Sequence, residues 1–423
     1  MVILLGFGPG DGGSTPLGTT NNFFYGYFFM EKLLLIGIDT RSMLNSALKL
    51  DYEIYSTSYF STTDTPNIKN QKIILKEKDG ESCGIFEDNF DSRNVLEISS
   101  DYIDEVDYII PISGISPTDF RKKDQKKILG NVDVKNIENK HEFYKKIKDE
   151  FLTPLTFSII DIDEVFEISE NHPDKQFILK PVQGSGGYDI KLLNKDMNIE
   201  FNGKEFMLQE YVAGINLSSS VLATKNEAKT ITNSRLLTMN DFEKNNSFIY
   251  VGNILPLTEK SIMTPIKDMS KITHEMNNTS EKLAQKFNLI GSNGVDYILN
   301  EKGLYIIEIN ARLQGTFECM EKAYEINMLD AHIKACQGEI IKMPNAKRYA
   351  YKKIIYSPTR MKYSKINLDN IYDLPHLGSI TEKDEPLLTI IDSDTNFEKL
   401  YKKVELTSKI VNEVSRRNQL DEE

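Results

Sequence analysis

The segment GVDYILNEKGLYIIEINAR, residues 294–312, leaves the chain few ways to fold. Two runs of β-favouring residues flank the polar triplet Glu301-Lys302-Gly303, which is the pattern of an antiparallel hairpin. A three-residue loop with Gly303 in the left-handed position pairs Asn300 with Leu304 and sets Asp296 opposite Glu308. Side chains alternate between faces along a strand, so Glu308 and Asn310 share one face with Asp296. Ile306, Ile307 and Ile309 are left to supply the apolar side.

Two carboxylates held side by side repel unless a cation lies between them. A hard divalent ion suits the pair, because Mg²⁺ takes one or two carboxylates and fills its octahedral shell with phosphate oxygens, and Mn²⁺ can replace it. Asp296, Glu308 and Asn310 are therefore the expected metal ligands. Arg312, two residues on, offers a planar fork to a phosphoryl group or a carboxylate. The plainer alternative is the exposed half of an amphipathic hairpin with one salt bridge.

A second motif is the loop QGSGG. Gly184, Gly186 and Gly187 let the backbone take positive φ and turn several N–H groups toward phosphate oxygens, and Gln183 and Ser185 add side-chain donors. Tyr188, Ile190 and Leu192 alternate with Asp189, Lys191 and Leu193, so the loop joins two strands and opens no helix. That excludes a Walker loop and a dinucleotide fingerprint. Lys180, just upstream, can reach the same phosphates; its plainer reading is a surface lysine before a proline.

At 423 residues the chain is too long for one ordinary core, and two to four compact units are expected. The run KLLLIGIDTRS, the helix MLNSALKL and the strand YEIYSTSYF make a βαβ start, and DYIIPIS (Asp107 to Ser113) adds a strand, so residues 30–130 form an open α/β unit. NKHEFYKKIKDEFL (139–152) is a short helix. QFILKP, YDIKLL and EFMLQEYV form an antiparallel flap over about 154–213 within a unit spanning 131–343, and SEKLAQKF (Ser280 to Phe287) is a helix. Residues 344–423 form a small C-terminal domain, and residues 1–29, which lack a signal-peptide pattern, are set aside as a non-native or disordered extension. A net charge of −12 argues against nucleic acid and anionic lipid as partners, no run is long enough to span a bilayer, and three unpatterned cysteines fit the cytoplasm. Cys319 and Cys336 are expected as packed thiols without a histidine nearby, and His141, His172, His274, His332 and His376 are too scattered to bind metal.

Together these motifs resemble the ATP-grasp superfamily, and within it the archaeal ATP-dependent carboligases related to biotin carboxylase. The resemblance covers Met30 to the C terminus. It implies a pre-ATP-grasp α/β domain, an ATP-grasp fold of two α+β subdomains clamping ATP, and a small C-terminal domain. It also implies roles residue by residue: Lys140 of NKHEF and Lys180 on the triphosphate, the QGSGG loop over it, and Gln209, Glu210, Tyr211 and Val212 of LQEYV reading the adenine through backbone groups and a carboxylate. Asp296, Glu308 and Asn310 hold Mg²⁺, and Arg312 meets the transferred phosphate. The chain departs from the pattern at Asn310-Ala311-Arg312, where many relatives have Asn-Pro-Arg, and at Asn216, where many place a carboxylate. It has Gly294 where D-alanine-D-alanine ligases carry an arginine, which leaves Arg235 as a substitute cation.

The implied activity is the activation of a small-molecule carboxylate as an acyl phosphate by ATP, followed by attack of an amine to give an amide, ADP and phosphate, with catalytic weight on Arg312 and Lys180. A homodimer is compatible with it. One alternative is a bicarbonate-dependent carboxylase, since Arg312-Leu313-Gln314 resembles a bicarbonate-holding segment, although Thr316 stands where the general-base glutamate belongs and Glu318 is displaced. Another is an ATP-binding protein without turnover. Arg41 and Ser113, at strand ends of the first unit, are candidates for substrate contact.

Overall fold

The computed structural model describes residues 30–82, 90–182, 184, 186–194, 205–243 and 247–420, so the expectations for residues 1–29, Cys83, Gln183 and Ser185 lie outside the described residues. Contacts divide the chain into Met1–Met30 and Glu31–Glu423, and everything below concerns the second unit.

Apolar residues fill Lys32–Gly37 (β1), KLLLIG, as a strand covered on both faces requires. Glu53–Phe60 (β2), Asn70–Leu75 (β3) and Tyr108–Pro111 (β4) join it in a parallel sheet of order β3-β2-β1-β4. The helix Arg41–Ala47 makes the first crossover, as expected. The sequence reading passes over β3 and the helices Ser92–Ile98 and Ser100–Glu105.

Thr156–Ile159 (β5), Phe177–Pro181 (β6), Lys191–Leu192 (β7) and Phe206–Glu210 (β8) form an antiparallel sheet of order β5-β8-β6-β7, the flap. A helix missing from the sequence reading, Ile162–Asn171, lies between β5 and β6, its first turn held by the Asp161 carboxylate accepting from the Asp163 and Glu164 amides. Its apolar face, Val165 and Ile168, packs with Phe177, Leu179 and Leu208 of the flap.

The largest sheet is built from Ile215–Ala223 (β9), Ala228–Thr238 (β10), Tyr250–Leu255 (β11), Gly291–Asn300 (β12), Gly303–Asn310 (β13) and Tyr349–Tyr356 (β14). Met361–Lys362 (β15) and Ile380–Thr381 (β17) pair by themselves, while Ile371–Tyr372 (β16) and Pro386–Asp394 (β18) continue the large sheet, whose order is β13-β12-β9-β10-β11-β14-β18-β16. Strand alternation splits its faces. Leu217, Val221, Val295 and Tyr297 pack with the helix Met269–Lys286, while Leu222, Leu255 and Ala350 pack with the helices Phe317–Tyr324 and Met328–Cys336 and with β1. Met269–Lys286 runs 18 residues where the sequence suggested only its end, because Asp268 caps it and Met269, Met276, Ser280 and Leu283 keep helical spacing through a polar stretch. No described helix is long and apolar enough to cross a membrane.

Candidate active site

β12 and β13 turn on Glu301 and Lys302 alone, with Gly303 already paired to Asn300, so the expected three-residue loop is one residue too long. Tyr297 consequently faces Ile306. Between Tyr297 and Asp296 the register slips by one, a bulge that makes Ile307 the extra residue of β13, and beyond it Asp296 stands opposite Glu308 and Gly294 opposite Asn310. Two displacements of one residue cancel, and the carboxylate pair falls where expected for a different reason. The bulge also moves Ile307 off the apolar side: it lines the cleft beside Glu308, and the core takes Leu304, Ile306 and Ile309.

Over this face lies a cleft of about 440 Å³. Lys140, Lys180, Gly184, Gly186, Gly187, Gln209, Glu210, Tyr211, Val212, Asp296, Glu308, Asn310 and Arg312 all line it, so four separated segments singled out in the sequence meet in one place. The Asn139 side chain accepts from the Glu142 amide and starts the helix Lys140–Ile147, which sets Lys140 at its first turn. From there the Lys140 ammonium donates to the Gly184 carbonyl at 2.6 Å and lies 3.4 Å from Glu308 Oε2, tying the glycine loop to the carboxylates. The loop is also fixed to the large sheet, since the Tyr250 amide donates to the Gly186 carbonyl. At Gly187, φ is +80° and a Cβ would fall 2.0 Å from the Phe248 carbonyl oxygen, so only glycine fits.

Charge in the cleft is unevenly shared. Burial opposes ionisation of Glu308, but Lys140, Lys180 and Arg312 outweigh it and hold its carboxyl below the usual range. Asp296 carries the strain: burial, then the charge of Glu308, push it up to about 7, against hydrogen bonds from Ser218 Oγ at 2.6 Å and Asn310 Nδ2 at 2.9 Å. Lys180, 3% exposed, is lowered to about 8 by burial and by Lys140, with Glu308 acting the other way. No group of three or more His, Cys, Asp or Glu that could hold a metal unaided occurs among the described residues. The strained Asp296–Glu308 pair nonetheless fits a divalent ion, which would relieve the repulsion that raises Asp296.

Several expectations fail for lack of local signals. Arg235 does not line the cleft; it projects from the other face of β10, donating to the Ile262 carbonyl and to Asp241 Oδ1. Arg41 is 1% exposed and is held by Glu318 at 2.6 and 3.0 Å and by Asp373 at 2.6 Å, whereas Ser113 does reach the cleft. Glu318 is thereby engaged, with Lys352 a further 3.5 Å away. The Glu210 carboxylate accepts from Lys175 Nζ and the Leu155 amide, so it is already engaged within the flap. Cys336 does have a histidine beside it: His332 Nε2 lies 3.7 Å from its sulfur, one helical turn away. His332 Nδ1 accepts from the Ser292 amide and Nε2 faces the Leu129 carbonyl, burial holds the ring down at about 4, and both thiols are pushed up to about 12, so they are packed groups. Ser218, Tyr250 and Asn253, which also line the cleft, carry no mark in the sequence, whereas Gln314 belongs to the Arg312-Leu313-Gln314 segment already singled out. Gln314 fills the space over Gly294, where a Cβ would lie 1.5 Å from Nε2, and bonds Ser218 and Ser220.

Residues 137–316 match the ATP-grasp domain family. The chain is 28% identical over 367 residues to an uncharacterized protein of Methanocaldococcus jannaschii, covering 85% of this chain and 88% of that one. It is 28% identical over 193 residues to the tyramine–L-glutamate ligase of the same organism, 45% of this chain and 51% of the ligase. N5-carboxyaminoimidazole ribonucleotide synthetase from Thermotoga maritima superposes with a TM-score of 0.65 at 15% identity, over 90% of this chain and 98% of that one, which establishes a shared fold.

Proposed function

We propose that this chain, of which residues 137–316 match the ATP-grasp domain family, is an ATP- and magnesium-dependent ligase that converts a substrate carboxylate into an acyl phosphate and passes the acyl group to an amine. The observation that carries the reading is the meeting of Lys140, the glycine loop and Glu308 within hydrogen-bond and ion-pair distance in one cleft. A related protein that joins tyramine to L-glutamate makes a bond of this kind.

Each part of the cleft has a task. Apolar Ile178, Ile190, Ile298 and Ile307 line a slot for the adenine, beside the hinge backbone at 210–212. Asp296, Glu308 and Asn310 would hold magnesium, which when bound neutralises triphosphate charge. Lys140 and Lys180 balance the charge on the phosphates, and Arg312 steadies the group in transfer, where positioning and electrostatics carry most of the rate. The flap closes over the acyl phosphate and keeps water from it. The carboxylating alternative is weakened by Glu318, whose carboxylate is committed to Arg41 and Lys352 and is not placed to act as a base.

Trapping with hydroxylamine tests this directly. With ATP and Mg²⁺, one or a few carboxylic acids from a panel of amino acids and short acids yield a hydroxamate and ADP in equal amounts. A product formed only with bicarbonate would overturn the amide-forming reading in favour of carboxylation.

Lys180 makes the nucleotide site pH-sensitive. Its folded value of about 8 means that the ammonium needed by the phosphates is present below pH 8 and lost above it. ATP affinity is therefore flat up to about pH 7.5 and falls toward tenfold per unit above pH 8, with one proton taken up on binding. Calorimetry in buffers of different ionisation enthalpy measures both, and Lys180→Arg, which keeps its charge, flattens the profile.

A further inference from the structure

Asp296 of β12 pairs with Ser218 of β9, and Gly294, two residues back on the same face, pairs with Ser220. Ser218 and Ser220 are 3% and 2% exposed, so two buried hydroxyls stand beside Asp296 and beside a position that has no side chain. Gln314, on the segment that follows β13, lies across Gly294 in the space that a Cβ would take. From there it spans both serines: Ser220 Oγ donates to Gln314 Oε1 at 2.9 Å, and Gln314 Nε2 donates to Ser218 Oγ at 3.3 Å. Ser218 Oγ in turn donates to Asp296 Oδ1 at 2.6 Å, and Thr316 Oγ1 stands 3.2 Å from Ser220 Oγ.

The carboxylate fixes the direction of this relay. A carboxylate oxygen can only accept, and a metal-binding Asp296 is in that form, so Ser218 gives its one proton to Asp296. Ser218 must then accept from Gln314, which turns the amide NH₂ toward Ser218 and the amide oxygen toward Ser220. Ser220 gives its own proton to that oxygen, and Thr316 donates to Ser220. Turning the amide over would set its oxygen against a hydroxyl with no proton left for it, so the orientation of Gln314 is determined. Every donor in the relay points one way, from Thr316 to Asp296.

On its other side, Asp296 Oδ2 accepts from Asn310 Nδ2 at 2.9 Å. Both carboxylate oxygens are therefore held, one by a neighbour on β13 and one by a relay that begins where the helix Phe317–Tyr324 meets the cleft. Donors that hold a ligand in its productive plane change metal affinity by about 10–100-fold.

We propose that Ser218 and Gln314 are positioning residues for Asp296: Gln314, seated over Gly294, holds the Ser218 hydroxyl on Oδ1 and so fixes the carboxylate plane for the divalent cation that meets the nucleotide. This rests on the metal assignment in the ligase reading above.

Mn²⁺ and ADP test the relay without turnover. Calorimetry on the full chain gives ADP affinity with saturating Mn²⁺ and without metal, and the ratio of the two isolates the cation. Ser218→Ala lowers this ratio by about tenfold or more, and Ser218→Thr, which keeps the hydroxyl, retains it. Gly294→Ala adds a methyl that meets only the flexible end of Gln314, so the protein folds with Gln314 displaced, and the ratio falls by about fivefold, as in Gln314→Met. In a Ser218→Ala background Gln314→Met lowers it no further, because Gln314 acts through Ser218. A merely structural role would lower ADP affinity with and without metal alike. A ratio unmoved by Ser218→Ala, or independent losses from Ser218→Ala and Gln314→Met, overturns the proposal and leaves the metal pair standing; should Ser218→Ala fail to fold, an unmoved ratio in Gly294→Ala does the same. A ratio unmoved by Asp296→Asn overturns the metal assignment and the proposal with it. Losses in the expected pattern, with no ADP formed from ATP on any carboxylic acid, uphold the positioning and overturn the ligase reading.

Discussion

Glu308→Gln lowers magnesium-dependent ADP formation by about a thousandfold or more while the protein stays folded. Glu308 is one of two carboxylates on its face of the hairpin, and it also neutralises Lys140, Lys180 and Arg312. Glutamine keeps the shape and deletes the charge, so the cation site and the lysine pair are both disturbed. The loss has a signature that distinguishes it from misfolding. Glu308 holds the Lys180 value up, so its removal drops Lys180 below about 8 and moves the decline in ATP affinity to lower pH. Turnover within tenfold of wild type, or an unmoved pH profile, would show that the carboxylate plays neither part.

Why that residue could be found in the sequence, when others could not, follows from the range of the signals. The two faces of a strand are written in its alternation, so Asp296, Glu308 and Asn310 could be grouped from nineteen residues of text. The turn was less legible. Nothing in Glu301-Lys302-Gly303 says that two residues suffice, and a bulge at Ile307 has no compositional mark because an isoleucine fits either face. Agreement on Asp296 and Glu308 therefore rested on two compensating displacements.

The glycine loop was legible for a similar reason: positive φ at Gly184, Gly186 and Gly187 is a local demand that few other residues meet. Arg235 shows the converse. Its charge suggested the site, but its parity on β10, opposite to Ser234 and Leu236, turns it toward Asp241 on the other face. The helix Ile162–Asn171 escaped because its stabilising contacts are with flap residues on both sides of it in the chain, Phe157 and Ile159 before it and Phe177, Leu179 and Leu208 after it, and its own run is short and acidic. The link from Gln314 through Ser218 to Asp296 was invisible for a deeper reason, since it is a property of a packed environment and of nothing in NLSSS or RLQ.

Arg41 is the extreme of this long-range kind, and its removal is the largest stability effect expected. It lies just past β1, yet its partners are Glu318, 277 residues away, and Asp373, 332 residues away, with its guanidinium over the Tyr372 ring at 5.3 Å. One buried side chain thus joins the α/β unit, the helix beside the cleft and the C-terminal segment. Burial opposes its charge, but Asp373 and Glu318 outweigh burial and raise its value, so it stays a cation at any working pH. The cluster is already short of positive charge, since burial and the charge of Asp373 push Asp39 up to about 7. Arg41→Met keeps much of the volume and strands Glu318 and Asp373, which should cost about 3–5 kcal/mol. Urea denaturation at pH 8 reads this as a lower midpoint. Lowering the pH protonates the stranded carboxyls, so the deficit shrinks toward pH 5 in the variant. Adding Glu318→Gln to Arg41→Met should recover part of the loss, because the uncompensated charge goes with its partner. A deficit under 1 kcal/mol, or one independent of pH, would mean that the three segments are held together by their apolar contacts alone.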